Sequence, residues 1–123
     1  MKEARIAREA FDFLATASAN TYPNEFLGLL RANEEGLITE VLVFPLTVNA
    51  RNYSFLNTTM IPWTVHYSGS VHSHPSSCNC PSQADLVFFS RFGNTHIIIA
   101  YPFNESSAKA YNSGGEELRL KIV

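Results

Sequence analysis

The stretch from Val65 to Asp85 constrains this chain more than any other. Val65 to His74 reads as a β-strand, Pro75 ends it, residues 76–81 form a loop, and Ser82 to Phe92 reads as a helix. That helix carries Leu86 and Phe89 on one face, Arg91 in its last turn and Gly93-Asn94 as a stop. Side chains at i and i+2 of a strand share a face, so His72 and His74 present two imidazoles side by side at a strand end. Asp85, in the first turn of the helix, projects toward whatever precedes that helix, which is the same strand end. Two neutral imidazoles and one carboxylate are a donor set for a catalytic Zn2+, with a fourth position left to water.

Each part also has a plainer reading. Ser82-x-x-Asp85 is close to a capping box, in which a hydroxyl and an acid satisfy the open N–H groups of a helix start. A lone His-x-His on a strand also serves structural hydrogen bonding. For Ser82 the two readings are compatible, since it can cap the helix and still face a metal.

The rest of the chain gives an α/β domain. Its 123 residues fit one domain, 1–123, and 46% hydrophobic with 16% charged residues argues for a packed core over disorder. Ile6, Ala10, Phe13, Leu14 and Ala17 recur at helical spacing, giving an amphipathic helix that ends near Asn20. Glu25 to Arg31 and Leu37 to Phe44 read as strands joined through the turn Asn33 to Gly36, the second apolar enough to be covered on both faces. Pro45 and Pro62 bracket a short strand around Tyr53 to Leu56. His96 to Tyr101 is a further strand, and Ala108 to Asn112 with Glu116 to Val123 form a hairpin about Ser113-Gly114-Gly115. The expected fold is a mixed β-sheet flanked by helices, one before it and one inserted.

With the motif and its surroundings in view, the pattern His-x-His-Pro, six residues, Ser, two residues, Asp resembles the signature of the JAMM (MPN+) zinc metalloproteases. The upstream Pro23-Asn-Glu25-Phe-Leu-Gly28-Leu-Leu30 resembles that family's glutamate segment, and the likeness to its short stand-alone archaeal members runs along essentially the whole chain. The resemblance implies the JAMM/MPN architecture, which is similar in outline to cytidine deaminases. It implies that His72, His74 and Asp85 bind Zn2+, that Glu25 is the general base and proton carrier, and that Ser82 helps hold the oxyanion. It also implies isopeptidase or peptidase action after the C-terminal Gly-Gly of a ubiquitin-like modifier, free or as its lysine conjugate. Relatives lacking the metal residues are scaffold subunits, so a non-catalytic or partner-dependent MPN scaffold is the alternative.

Other classes are disfavoured. A formal charge of −2 with no basic stripe argues against nucleic acid. No apolar run long enough to span a bilayer and no signal-like start is visible, so a cytoplasmic protein, monomer or homodimer, is expected. A nucleobase deaminase would need His-x-Glu and Pro-Cys-x-x-Cys, whereas this chain has His-Ser-His and Cys-x-Cys. Cys78 and Cys80 leave four states open: free thiols, an intermolecular bridge, a strained local disulfide, or a His/Cys structural metal site. His96 reads as packed or hydrogen-bonded, and a role in orienting a ligand is unsupported for it or for His66.

Overall fold

Strands β4 (Gly69–His74) and β5 (Thr95–Ala100) form the centre of the molecule, paired in parallel from Gly69↔Thr95 to His74↔Ala100. The structure, a computed structural model, describes residues 2–43 and 66–123. The expected strand at Tyr53 to Leu56, its bracketing prolines and Trp63 lie outside the described residues. Around the central pair are β1 (Glu3–Ile6), α1 (Arg8–Thr21), β2 (Leu27–Ala32), β3 (Leu37–Leu42), α2 (Gln83–Phe89), β6 (Ala108–Tyr111) and β7 (Glu117–Ile122). A single 3-10 turn, Glu105–Ser107, precedes β6.

The mixed sheet curls until it closes, in the order β1-β3-β2-β4-β5-β6-β7, with β1 parallel to both β3 and β7. The first helix therefore starts later than its apolar spacing suggests. Glu3 to Ile6 alternates outward and inward, and Ile6 is fully buried as a strand residue. The helix buries Ala10, Phe11, Leu14 and Ser18, while Phe13, expected on the core face, is 49% exposed.

The central strands are covered on both faces, as their uninterrupted burial shows. On one face Leu30, Val71, Ile97 and Ile99 pack with Ala10, Phe11 and Leu14 of α1. On the other, Leu27 and Leu29 pack with Phe88, and Ile98 with Phe89 and Tyr111. β3 departs from expectation here: only Ile38 is fully buried, and Glu40 faces solvent beside Arg31 at 3.5 Å. Thr39 and Glu40 are both exposed, so the strand is not covered throughout. Gly69 opens β4 so close to Thr95 that an added Cβ would lie 1.4 Å from its carbonyl oxygen, which excludes any side chain there. Among the described residues no helix is long and apolar enough to cross a membrane.

His96 is packed and hydrogen-bonded. Its ring stacks on Phe89 at 4.3 Å, its Nδ1 lies 2.7 Å from the Ser70 hydroxyl, and its Nε2 is 3.1 Å from the Gly93 carbonyl. A carbonyl only accepts, so Nε2 carries the proton and Ser70 donates to Nδ1. Burial pushes the imidazole down from 6.5 to about 4, against the pull of the Gly93 and Phe89 carbonyls. Its folded pKa is therefore depressed, and the unfolded chain takes up the proton first as pH falls. The stabilisation held by neutral His96 is complete above about pH 6.5 and is lost toward pH 4. Over that window metal-free protein is expected to lose up to about 3 kcal/mol from this group. His96→Gln should flatten the fall of Tm between pH 6.5 and 4 relative to the native protein; equal slopes would contradict the assignment.

Candidate metal centre

The β4 pleat turns His72 and His74 to the α2 side, the side that His72's parallel neighbour Ile98 shares with Phe89. α2 begins where its cap dictates. The Ser82 hydroxyl accepts the Asp85 N–H at 3.2 Å, and Asp85 Oδ2 accepts the Ser82 N–H at 2.8 Å, a complete capping box. The capping reading of Ser82-x-x-Asp85 therefore holds. The same carboxylate that caps the helix faces the strand end.

Three side chains meet there. His72 Nε2 lies 3.1 Å from His74 Nε2 and 3.1 Å from Asp85 Oδ1, and His74 Nε2 lies 3.3 Å from Asp85 Oδ2. A tetrahedral ion with N and O ligands near 2.05 Å sets neighbouring donors about 3.3 Å apart. The observed spacings match that edge, so the residues present fit a four-coordinate metal with one position open to solvent. Among the described residues this is the only group of three or more His, Cys, Asp or Glu donors so closely gathered. Cys78 and Cys80 are free, exposed and outside it, which sets aside the His/Cys structural site for the described residues.

The electrostatics favour a cation at the point of convergence. Burial alone would raise the Asp85 carboxyl, but hydrogen bonds from His72 and His74, the charge of His72 and the Ser82 N–H hold it well below the usual carboxylate range. Burial would lower His74, yet Asp85, the Cys78 carbonyl and the charge of Glu25 together raise it. A field that keeps the acid ionised and draws a proton onto an imidazole equally draws a metal ion.

The loop between β4 and α2 orients one ligand. His74 Nδ1 donates to the Cys78 carbonyl at 2.8 Å, so in the neutral ring that a metal requires the Nε2 lone pair points inward. That carbonyl is steadied by its neighbour Asn79, whose amide donates to Ser107 O at 3.1 Å and whose carbonyl accepts from the Tyr111 hydroxyl at 2.7 Å. Burial first, then nearby negative groups, push Tyr111 up to about 12, so it stays a donor. No sequence signal marks the Cys78 carbonyl, because every residue has one.

Glu25 precedes β2. It lies two residues before the last β2–β4 rung, Leu27↔His72, and its charge acts on the His74 ring. Gly28 follows it where an added Cβ would press the Leu42 carbonyl at 3.1 Å and Val41 at 3.2 Å.

Ser82→Ala is expected to cost about 1 kcal/mol through the lost cap while leaving divalent-metal content intact. Asp85→Ala should lose both cap and metal, read by thermal melting and by metal analysis after dialysis. Full metal occupancy in Asp85→Ala would overturn the assignment of the centre.

Comparison with known proteins agrees with this geometry. Residues 7–113 match the family model described as prokaryotic homologues of the JAB domain. A probable metalloprotease of Haloferax volcanii is 38% identical over 127 residues, covering 96% of this chain and 78% of the relative. A solved structure described as JAMM, a metalloprotease-like zinc site in the proteasome and signalosome, superposes with a TM-score of 0.78 at 33% identity over 99% of both chains. A JAB1/MPN domain protein from Archaeoglobus fulgidus gives 0.77 at 34% identity, over 97% of this chain and 98% of that one.

Proposed function

The chain belongs to the JAMM (MPN+) family, as a prokaryotic JAB-domain homologue, and from that membership we propose that it is a zinc-dependent peptidase. Its substrate, in this reading, is the peptide or isopeptide bond after the C-terminal Gly-Gly of a ubiquitin-like protein. The observation that carries the catalytic part is the convergence of His72, His74 and Asp85 with donor spacings of 3.1–3.3 Å. The family resemblance supports the Gly-Gly substrate class.

His72, His74 and Asp85 would hold the ion, and Zn2+ bound there supplies Lewis acidity and water of lowered pKa. Glu25, whose charge acts on the His74 ring, takes the proton of the attacking water and delivers it to the departing amine, which leaves only once protonated. The Ser82 oxygen already accepts the Asp85 N–H, and a hydroxyl keeps one proton to give. That proton is directed at the carbonyl oxygen as negative charge builds on it. The buried walls, with His72 1% and Asp85 3% exposed, limit competition from bulk water.

Glu25→Gln should keep stoichiometric zinc and lose ~100-fold or more in kcat on a lysine conjugate of a Gly-Gly-ending ubiquitin-like protein. Chelation should abolish native activity and added Zn2+ restore it. Near-native turnover by Glu25→Gln would remove Glu25 from the mechanism. Stoichiometric zinc with no cleavage of any Gly-Gly conjugate would favour a scaffold role.

A further inference from the structure

We infer that Ser73 is a positioning residue whose hydroxyl replaces a backbone carbonyl at the end of the β2–β4 ladder and so fixes the position of Glu25. The inference rests on the reading of Glu25 as the base. Ser73 stands between the two histidines, on the opposite face of β4, and is 1% exposed.

The ladder between β2 and β4 runs Leu30↔Gly69, Leu29↔Ser70, Gly28↔Val71 and Leu27↔His72. The next rung would join Phe26 to Ser73. In a hydrogen-bonded antiparallel rung the two residues exchange both backbone bonds. Here the Ser73 N–H donates to the Phe26 carbonyl at 2.9 Å, but the return bond is different. The Phe26 N–H donates to the Ser73 side-chain oxygen at 2.8 Å. One residue thus holds both polar groups of the Phe26 backbone, while the Phe26 ring, 5% exposed, is locked in the α1-side core.

Substitution of a hydroxyl for a carbonyl has a consequence for the next residue. The regular strand stops at Leu27, and Glu25 leaves strand geometry while remaining anchored one residue from a doubly fixed point. Ser73 cannot drift with it, because its other edge pairs with Ile99 of β5. The requirement is for a small side chain with an acceptor oxygen at the β-carbon. Serine and threonine meet it; alanine leaves the buried Phe26 N–H without that acceptor.

Hydrogen exchange on metal-free protein tests the bond without reference to activity. In Ser73→Ala the Phe26 amide should exchange ~10-fold faster or more, with the Leu27 to Leu30 amides still protected, and Ser73→Thr should restore it. Zinc stoichiometry should be unchanged. On the Gly-Gly lysine conjugate Ser73→Ala should lose ~10- to 100-fold in kcat at unchanged KM, and Ser73→Thr should recover it. If Ser73→Ala fails to fold, Ser73→Cys, close in size with a weaker acceptor, carries the same comparison. Unaltered Phe26 exchange in the serine variant would overturn the inference. So would native kcat there beside an inactive Glu25→Gln. An active Glu25→Gln would instead remove the base itself, a separate failure that the exchange data would distinguish.

Discussion

A buried carboxylate has to be surrounded or it will not stay charged, and Asp85 meets that condition with very few atoms. Its Oδ2 takes the first open N–H of α2 and its Oδ1 faces His72, so helix and strand are joined through one side chain. Without such partners, removing the charge from water would cost several kcal/mol. The demand therefore dictates where α2 starts, while Pro75 ends the strand at His74. Helix start and metal centre thus answer one electrostatic requirement.

Two imidazoles on the same side of the sheet show how finely that requirement is placed. Burial disfavours the charged form of both His74 and His96. For His74 a carboxylate and a carbonyl reverse the outcome; for His96 the partners are a hydroxyl and a carbonyl, and the ring stays neutral. The charged function is confined to the mouth of the strand pair, and the layer beneath it is held by neutral hydrogen bonds and the stack on Phe89.

The site was legible in the sequence because its geometry is local. Strand alternation fixes His72 beside His74, and a helix's first turn fixes Ser82 against Asp85, whatever the rest of the fold does. Glu25 has no such local signal and was found through family resemblance. The hairpin of β6 and β7 was readable from its turn and its alternation. Closure of the sheet was not, since β1 is four residues long and Ile6 happens to fall in register with the helical spacing that follows. Only pairing with β3 and β7, both distant in sequence, makes those residues a strand. Ser73 escaped notice for a related reason, because it acts on a backbone N–H.

The parallel pairing of β1 with β7 also sets an order on biosynthesis. Glu3 to Ile6 lie beside Arg119 to Ile122, and the backbone bonds Arg8 N–H to Val123 O and Val123 N–H to Ile6 O tie the two segments together. A ribosome releases the first strand long before its partner exists. Until the last strand emerges, an apolar edge containing Ala4 and Ile6 has only β3 to lean on. The nascent chain seals that flank only once β7 is available to pair with β1.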